Sequence, residues 1–392
     1  MPLKDYSLKE VIQIEACTNC MLCAEVCPAV SATQDGSLSG VYRLYELRRL
    51  FKSRSRLLKR FFSGSQNEEN LKKFSETVYR CTLCGRCQEV CPSGISLKDI
   101  WLSLRQDLVH SNAYPDKVDM IKENVLSNHN VFDEDNEERA EWVEDLDDPP
   151  EHGHIKDSAE IVYFTGCVAA YFPMAQQIPL SLVEIFESAD VDFTLLGEDE
   201  YCCGFPFLGA GLRDRVNEVI DHNVEAVKRK NAKKVVFACP SCYRMWKEYY
   251  PPEFELYHVT QYIKHLLKDK LKLKTINKVV TYHDPCDLGR GSREYDAPRD
   301  IINAIPGVKM VEMENNRENC TCCGGGGNLE MIDAGLVKEI AGEKIKQVLD
   351  TGADAVITSC QQCVRTMKGY VRLKKIKLEV LDIVELIRKA LR

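Results

Sequence analysis

Short runs of β-branched and aromatic residues recur through the second part of the chain, and each leads into a cysteine-bearing loop. The runs read IVYF, VVF, VVTYH and AVIT and begin at residues 161, 235, 279 and 355. Segments with helical spacing of apolar residues, such as LVEIFESA and LVKEIAGEKIKQVLDTG, lie between them. This alternation predicts parallel strands covered by helices, with the cysteine loops at the carboxyl ends of the strands, where open α/β sheets build their sites.

The pattern is duplicated. Five cysteines of one half recur in the other at offsets of 119 to 121 residues, namely Cys167, Cys202, Cys203, Cys239 and Cys242 as Cys286, Cys322, Cys323, Cys360 and Cys363. So even an offset predicts a repeated domain of about 120 residues. We expect the first copy over 156–275 and the second over 276–392, related by a pseudo-twofold axis. Ahead of them, eleven acids and one arginine between 133 and 151 predict an acidic linker over 131–155.

The cysteine content changes the picture from a general α/β protein to a metalloprotein. The chain has 19 cysteines among 392 residues, and its start, MPLKDYSLKE, lacks the apolar core of a secretory signal. We therefore expect a cytoplasmic protein whose thiols bind metal rather than pair as disulfides. The uncharged run 161–183 contains Pro173 and Pro179, so a strand, a loop and a helix explain it better than a membrane span. We expect contact with the inner face of the membrane only through a partner subunit, and the net charge of −8 gives no reason to expect nucleic acid.

Residues 1–130 contain two runs of C-x2-C-x2-C-x3-C-P, the spacing of bacterial ferredoxins. In such proteins the fourth cysteine of each run ligates the other cluster, which predicts two cubane [4Fe–4S] clusters on a helical ferredoxin-type domain. The expected ligands are Cys17, Cys20, Cys23 and Cys91 for cluster 1, and Cys81, Cys84, Cys87 and Cys27 for cluster 2. Four-thiolate zinc sites are the alternative, but they rarely use three evenly spaced cysteines followed by Cys-Pro.

The duplicated motif resembles a known family. The pattern C-x34-CCG-x34-CxxC, followed by C-x35-CCG-x35-CxxC, is similar to the CCG domain of heterodisulfide reductases, as are the segments YHDPCDLGR and CCGGGGN. A ferredoxin domain ahead of two such domains looks like the catalytic subunit of the membrane-linked enzyme. The resemblance implies an α+β multidomain fold, with a helical 2[4Fe–4S] domain followed by two pseudo-symmetric α/β CCG domains.

The resemblance also implies that each complete motif gives five thiolates to a non-cubane [4Fe–4S] cluster. Cluster 3 would be held by Cys167, Cys202, Cys203, Cys239 and Cys242, and cluster 4 by Cys286, Cys322, Cys323, Cys360 and Cys363. We expect Gly204 and Gly324 to let the backbone approach these clusters, since glycine has no side chain.

The function implied is that of an oxidoreductase that reduces a disulfide, the coenzyme M–coenzyme B heterodisulfide or a similar one. The ten CCG cysteines would be the catalytic residues, and clusters 1 and 2 would feed them with electrons. Relatives often lack some of these ligands, whereas this chain keeps all ten, which favours disulfide chemistry over plain electron relay. The alternative is an electron-transfer subunit linking a flavin dehydrogenase (for lactate, glycolate or glycerol 3-phosphate) or a menaquinol-oxidising membrane complex to its redox partner.

Electrons are expected from another subunit, a flavoprotein or a cytochrome b-type membrane protein, because no GxGxxG motif follows a predicted strand. Four residues near the second motif have open roles. Cys320 is either an extra ligand or a buried thiol, and His283 either orients a ligand or protonates a product thiolate. Arg290 and Arg293 are candidates for pairing with an anionic substrate.

Overall fold

The computed structural model describes residues 5–54, 65–150 and 153–392, which form two compact units. The first unit comprises residues 1–122, 206–214 and 321–343, and the second comprises 123–205, 215–320 and 344–392. Each unit combines segments from more than one predicted domain, so the boundaries at 130, 155 and 275 stay a prediction. Within the described ranges, no helix has both the length and the apolar character needed to cross a bilayer.

The α-helices are, in chain order, α1 (Leu8–Glu15), α2 (Leu22–Glu25), α3 (Pro28–Thr33), α4 (Gly40–Arg54), α5 (Ser65–Tyr79), α6 (Arg86–Glu89), α7 (Leu97–His110), α8 (Lys117–Asn128), α9 (Cys167–Tyr171), α10 (Gln177–Ser188), α11 (Phe205–Ala210), α12 (Val216–Arg229), α13 (Pro240–Tyr249), α14 (Val259–Leu266), α15 (Gly289–Ser292), α16 (Asp296–Ala304), α17 (Leu329–Ile332), α18 (Ala334–Leu349), α19 (Gln361–Lys374) and α20 (Ile383–Ala390). The strands are β1 (Ile161–Phe164), β2 (Phe193–Thr194), β3 (Lys234–Phe237), β4 (Glu255–His258), β5 (Lys278–His283), β6 (Val308–Met310), β7 (Ala355–Thr358) and β8 (Glu379–Asp382). Short 3-10 helices span Gly36–Leu38, Asn136–Asp145, Gly197–Asp199, Arg213–Arg215 and Arg317–Asn319.

The described part of the first unit is helical, and its two ferredoxin loops share one backbone turn. Met21 and Gly85 adopt left-handed conformations, with φ of 69° and 75°, at the starts of α2 and α6. Each precedes the third cysteine of its run by two residues, so the same turn presents the cysteines of both motifs. A small core inside this unit joins Ala29 and Leu38 to the 321–343 segment through Leu329, Leu336, Val337 and Ile340.

The second unit contains two four-stranded parallel sheets with equivalent strand orders, β2-β1-β3-β4 and β6-β5-β7-β8. The central pair of each sheet is formed by the first and third strands of that half, which are β1 and β3 in one sheet and β5 and β7 in the other. The predicted parallel strands are therefore present in both copies, and the α+β multidomain fold is confirmed.

Helices of the two halves of the second unit pack against each other across a shared core. Helix α10 packs against α20 of the other half, and α14 packs against α16. Because α10 follows β1 as α16 follows β5, and α14 follows β4 as α20 follows β8, these two contacts are reciprocal. One continuous apolar cluster contains residues of both sheets, including Val236, Ala238, Val280 and Ile357. The expected pseudo-twofold relation is thus visible inside this unit.

Candidate functional site

One cavity of the first unit is lined by thiols from both ferredoxin runs: Cys27, Cys81, Cys84 and Cys87. Burial raises the pKa of the Cys87 thiol well above its ordinary value, and burial is also the largest influence raising the pKa of Cys27. Such thiols ionise when a bound cation supplies compensating charge, which is what metal ligation does. The donor set therefore fits a metal cluster.

A second cavity of the same unit is lined by the other four cysteines of the runs: Cys17, Cys20, Cys23 and Cys91. Burial raises the pKa of Cys23 to about 11. Its sulfur lies 3.4 Å from the position that a Cβ on Gly40 would occupy, so the start of α4 closes over the thiol. Cys20 is exposed, so the cysteines of this cavity reach solvent more than those of the first cavity do.

The first CCG motif brings five thiols together inside the second unit. Cys167 begins α9 directly after β1, and Cys239 precedes α13 directly after β3, so both lie at carboxyl strand ends. The neighbouring pairs Cys167–Cys202, Cys202–Cys203, Cys203–Cys242 and Cys242–Cys239 lie close enough for each thiol to shift the pKa of the next. The neighbouring thiols of Cys202 and Cys242 lower the pKa of Cys203. Four of the five thiols are buried, and the pKa of Cys239 is lowered as well, chiefly by Cys242. Such a group of neighbouring thiols suits thiolate ligation of iron.

The five cysteines of the second motif are divided between the two units. Cys286, Cys360 and Cys363 belong to the second unit, whereas Cys322 and Cys323 belong to the 321–343 segment of the first. Cys322 and Cys363 are 3% and 4% exposed, so these thiols are as shielded as those of the first motif. The five-ligand set of this motif stays a prediction.

The cysteine loops of the two halves contact each other within the second unit. Gln361, between Cys360 and Cys363, donates to the Thr165 carbonyl at 2.7 Å and accepts from the Ala169 amide at 3.2 Å. These partners flank Cys167 along the chain. The reverse contact comes from Ser241 in the first CxxC, whose hydroxyl donates to Asp287, the residue after Cys286, at 2.8 Å. The duplication therefore places the two cysteine loops side by side.

The glycines after the paired cysteines also lie close to helices, and their expected role beside a cluster stays a prediction. Gly204 and Gly324 have φ of 91° and 98°, a left-handed backbone that disfavours other residues. A Cβ on Gly204 would lie 3.2 Å from Val216 and Val219, and one on Gly324 would lie 2.9 Å from the Val337 carbonyl oxygen. Helix α12 fills the space beside Gly204, and helix α18 fills the space beside Gly324.

Sequence reasoning missed Arg139, which lies in the stretch predicted as an acidic linker. That stretch forms a 3-10 helix with Arg139 2% exposed. Its guanidinium donates to Glu200 at 2.8 Å and to the Cys167 sulfur at 3.7 Å. The two Glu200 oxygens accept the amides of Thr165 and Gly166, which immediately precede Cys167. The sequence did contain one indication of its role, since Arg139 is the single basic residue among the eleven acids of 133–151.

The residues with open roles near the second motif are also placed. The Cys320 thiol is buried, 3.4 Å from His283 Nδ1 and 3.5 Å from Lys344 Nζ. Arg290 is buried and donates to the carbonyls of Glu318 and Cys320, so its guanidinium orients backbone. Arg293 is exposed and ends α15 with a left-handed φ of 58°.

Arg105 is a second residue that the sequence did not reveal, and it joins three segments of the first unit. This fully buried side chain donates to the carbonyls of Gly209, Gly327 and Cys81 at 2.5, 2.9 and 2.8 Å. A Cβ on Gly326 would lie 2.6 Å from the Thr82 carbonyl oxygen, and one on Gly327 would lie 2.4 Å from that of Cys81. The glycine run of the second CCG motif therefore packs directly on the loop that begins the second ferredoxin run.

Comparison with known proteins agrees with these motifs. A 4Fe-4S dicluster domain matches residues 13–95, and a cysteine-rich domain (CCG) matches residues 161–247 and 280–368. The D subunit of the dihydromethanophenazine:CoB–CoM heterodisulfide reductase of Methanosarcina acetivorans is 35% identical, over 99% of this chain and 96% of the relative. The same-named protein of Methanosarcina mazei matches at the same identity and coverage. The EtfAB:quinone oxidoreductase of Syntrophomonas wolfei is 26% identical, over 99% of this chain and 60% of its own length. The chain belongs to the family of the heterodisulfide reductase D subunits and is an iron–sulfur oxidoreductase.

Proposed function

We propose that this chain reduces a disulfide at its CCG cysteines, and that the substrate is the CoB–CoM heterodisulfide named for its relatives or one like it. The observation that carries the proposal is the group of five neighbouring thiols in the first motif, four of them buried, beside the cysteine loop of the second. An electron relay needs only one ordinary cluster in this region. Ten cysteines with two adjacent loops suit a reaction in which one bond is split into two sulfur fragments.

The ligands we propose are those grouped by the sequence. Cys17, Cys20, Cys23 and Cys91 would hold cubane cluster 1, and Cys81, Cys84, Cys87 and Cys27 would hold cubane cluster 2. Cys167, Cys202, Cys203, Cys239 and Cys242 would hold non-cubane cluster 3, and Cys286, Cys322, Cys323, Cys360 and Cys363 would hold non-cubane cluster 4. When bound, these clusters supply single electrons and iron that can ligate a thiolate sulfur. Support for the first two groups comes from their arrangement around two separate cavities.

The reaction joins one disulfide, two electrons and two protons to give two thiols. The chain's own contribution is to bury the reacting region, since all the CCG cysteines except Cys167 and Cys286 are buried. Cys203 and Cys323, for example, are 5% and 4% exposed. Exclusion of water strengthens the electrostatic stabilisation of each developing thiolate, because the local dielectric is low.

Electrons would reach the second CCG motif through the first unit. The Cys81–Thr82 backbone, at the start of the second ferredoxin run, packs closely against Gly326 and Gly327. These glycines follow Cys323 by three and four residues. Arg105 fixes the contact by donating to the Cys81 and Gly327 carbonyls together.

A partner protein would donate these electrons. The relatives from Methanosarcina are by name subunits of a larger enzyme, and we propose a flavoprotein or a cytochrome b-type membrane protein as the donor. The match to an EtfAB:quinone oxidoreductase favours one second candidate, an electron-transfer role between a flavoprotein and a quinone. The two candidates differ in whether the chain itself cleaves a disulfide.

Anaerobic turnover of the cluster-loaded protein separates them. With reduced viologen as donor, we expect two viologens oxidised and two thiols released for each disulfide consumed. A Cys203→Ser variant should lose this activity while keeping both ferredoxin clusters, and the surface variant Arg229→Gln should retain it, because Arg229 pairs with Asp199 at an exposed position. Viologen oxidation by a quinone analogue without thiol release would support electron transfer instead.

A further inference from the structure

The cysteine loop of the first half is held by a buried ion pair. Arg139 and Glu200 are 2% and 1% exposed at their side chains and 2.8 Å apart. Glu200 also accepts the amides of Thr165 and Gly166 at 2.7 and 2.8 Å, which fixes the backbone directly before Cys167. Removing one member of such a pair leaves a buried charge without compensation, so the pair acts as one element.

Arg139 reaches beyond its carboxylate to the sulfur. One guanidinium nitrogen bonds Glu200 and another lies 3.7 Å from the Cys167 Sγ. Two further hydrogen bonds, with the Asn136 side chain at 3.1 Å and the His129 carbonyl at 3.4 Å, and the Tyr171 ring 5.4 Å away set the plane of the guanidinium. A cation that donates to a ligand sulfur stabilises the more negative, reduced state of a cluster held by that sulfur.

The second half is built differently at the same point. Glu200 stands two residues before Cys202, and the residue two before Cys322 is Cys320. One buried cation there is Lys344, whose ammonium lies 3.5 Å from the Cys320 sulfur and 3.6 Å from the Met313 sulfur. Cys320 is not one of the ten motif cysteines. The Arg139–Glu200 arrangement is therefore not repeated with the same residues in the second half.

We propose that Arg139 is a positioning residue that raises the reduction potential of the first CCG site. This inference rests on the proposed ligation of a cluster by Cys167. Because its guanidinium donates to the Cys167 sulfur, the first site takes up an electron more readily than it would without that cation.

Potentiometric titration followed by electron paramagnetic resonance tests the proposal on the anaerobic, cluster-loaded full chain. In Arg139→Gln we expect one titration step to move to lower potential by about tenfold in its equilibrium constant, which is about 59 mV for one electron. The double variant Arg139→Gln with Glu200→Gln removes both charges, so it avoids a lone buried carboxylate. Its step should move in the same direction but less far, because loss of the carboxylate opposes loss of the guanidinium, which contacts the sulfur directly. Arg139→Lys keeps the charge and should move the step less.

Two controls locate the effect. Arg229→Gln removes an exposed arginine of the same half and should leave every step in place. Lys344→Gln should not move the step that Arg139→Gln moves. Unchanged potentials in both the single and double variants would overturn the proposal. Loss of one cluster's iron in all three Arg139 variants would also overturn it, because that result assigns Arg139 to assembly alone.

These readouts do not depend on turnover. If the wild-type protein cleaved no disulfide while the potential still shifted, the proposed function would fail and the role of Arg139 would stand. If disulfide cleavage were observed and no potential shifted, the reverse would hold.

Discussion

Replacement of Arg105 by leucine should loosen the first unit more than replacement of a surface arginine. The guanidinium is fully buried and donates to carbonyls of three separate segments, those of Cys81, Gly209 and Gly327. Longer bonds reach two further carbonyls of α5 at 3.1 and 3.3 Å. Leucine fills part of the volume and leaves these carbonyls without a donor.

The expected magnitude follows from the bond lengths. Three charge-assisted hydrogen bonds of 2.9 Å or less contribute about 1.5 kcal/mol each at the low end of their range, or about 4.5 kcal/mol in total. We assign the two longer bonds to offsetting the desolvation of the buried guanidinium. A loss of about 4.5 kcal/mol corresponds to a change on the order of a thousandfold in the opening equilibrium.

Amide hydrogen exchange measured by mass spectrometry on the anaerobic protein reads this out locally, since exchange reports opening segment by segment. Peptides covering α7 should exchange up to about a thousandfold faster in Arg105→Leu, with an intermediate change in Arg105→Lys. The matched control is Arg49→Leu in α4, whose side chain is 63% exposed and pairs with Glu46 only three residues away. Such a pair contributes about 0–1 kcal/mol. Equal exchange in Arg105→Leu and Arg49→Leu would refute the reasoning.

Three further outcomes are expected. Cys242→Ser should lower the iron content by about four per chain, whereas Cys320→Ser should keep it, and iron and sulfide analysis compares the two. Gly327→Ala should destabilise the first unit by at least about 1–2 kcal/mol in urea titrations, because φ is +65° and a Cβ would meet a carbonyl oxygen at 2.4 Å. In the control variant Gly369→Ala the new Cβ would have no neighbour within 4 Å, so the substitution should be neutral or slightly stabilising. Burial lowers the pKa of His258 to about 3, below its unfolded value of about 6.5, so the stability of the fold should decrease as the pH drops from 6.5 towards 3. His258→Asn keeps a residue that can cap α14 and should flatten this pH dependence. An unchanged slope of stability against pH in that variant would contradict the prediction.

Much of the fold was predictable because its signals are local and periodic. The runs IVYF and AVIT mark β1 and β7 directly, and the constant cysteine offset revealed the duplication before any strand was placed. The packing of α10 against α20 of the other half was not predictable, because an apolar helix face does not specify which other apolar surface it packs against. The same holds for the 206–214 and 321–343 segments, which join the ferredoxin unit.

The polar contacts around the cysteines were the least predictable part. Arg105 bonds backbone carbonyls more than 100 residues away, and carbonyls carry no sequence signature. Arg139 was hidden by the acidic composition around it, which predicts a solvated linker when charges are counted without their partners. Lys344 and Cys320 are separated by 24 residues and meet only through the course of the chain between them. Long-range pairing, rather than composition, decides the role of each.

Disulfide chemistry at the two CCG motifs is the central claim, and paramagnetic resonance of the anaerobically oxidised protein tests it directly. Oxidation in the presence of a candidate thiol should produce a signal that is absent without the thiol and absent in Cys203→Ser. A spectrum that contains only reduced-cubane signals, the same with and without thiol, would contradict the claim.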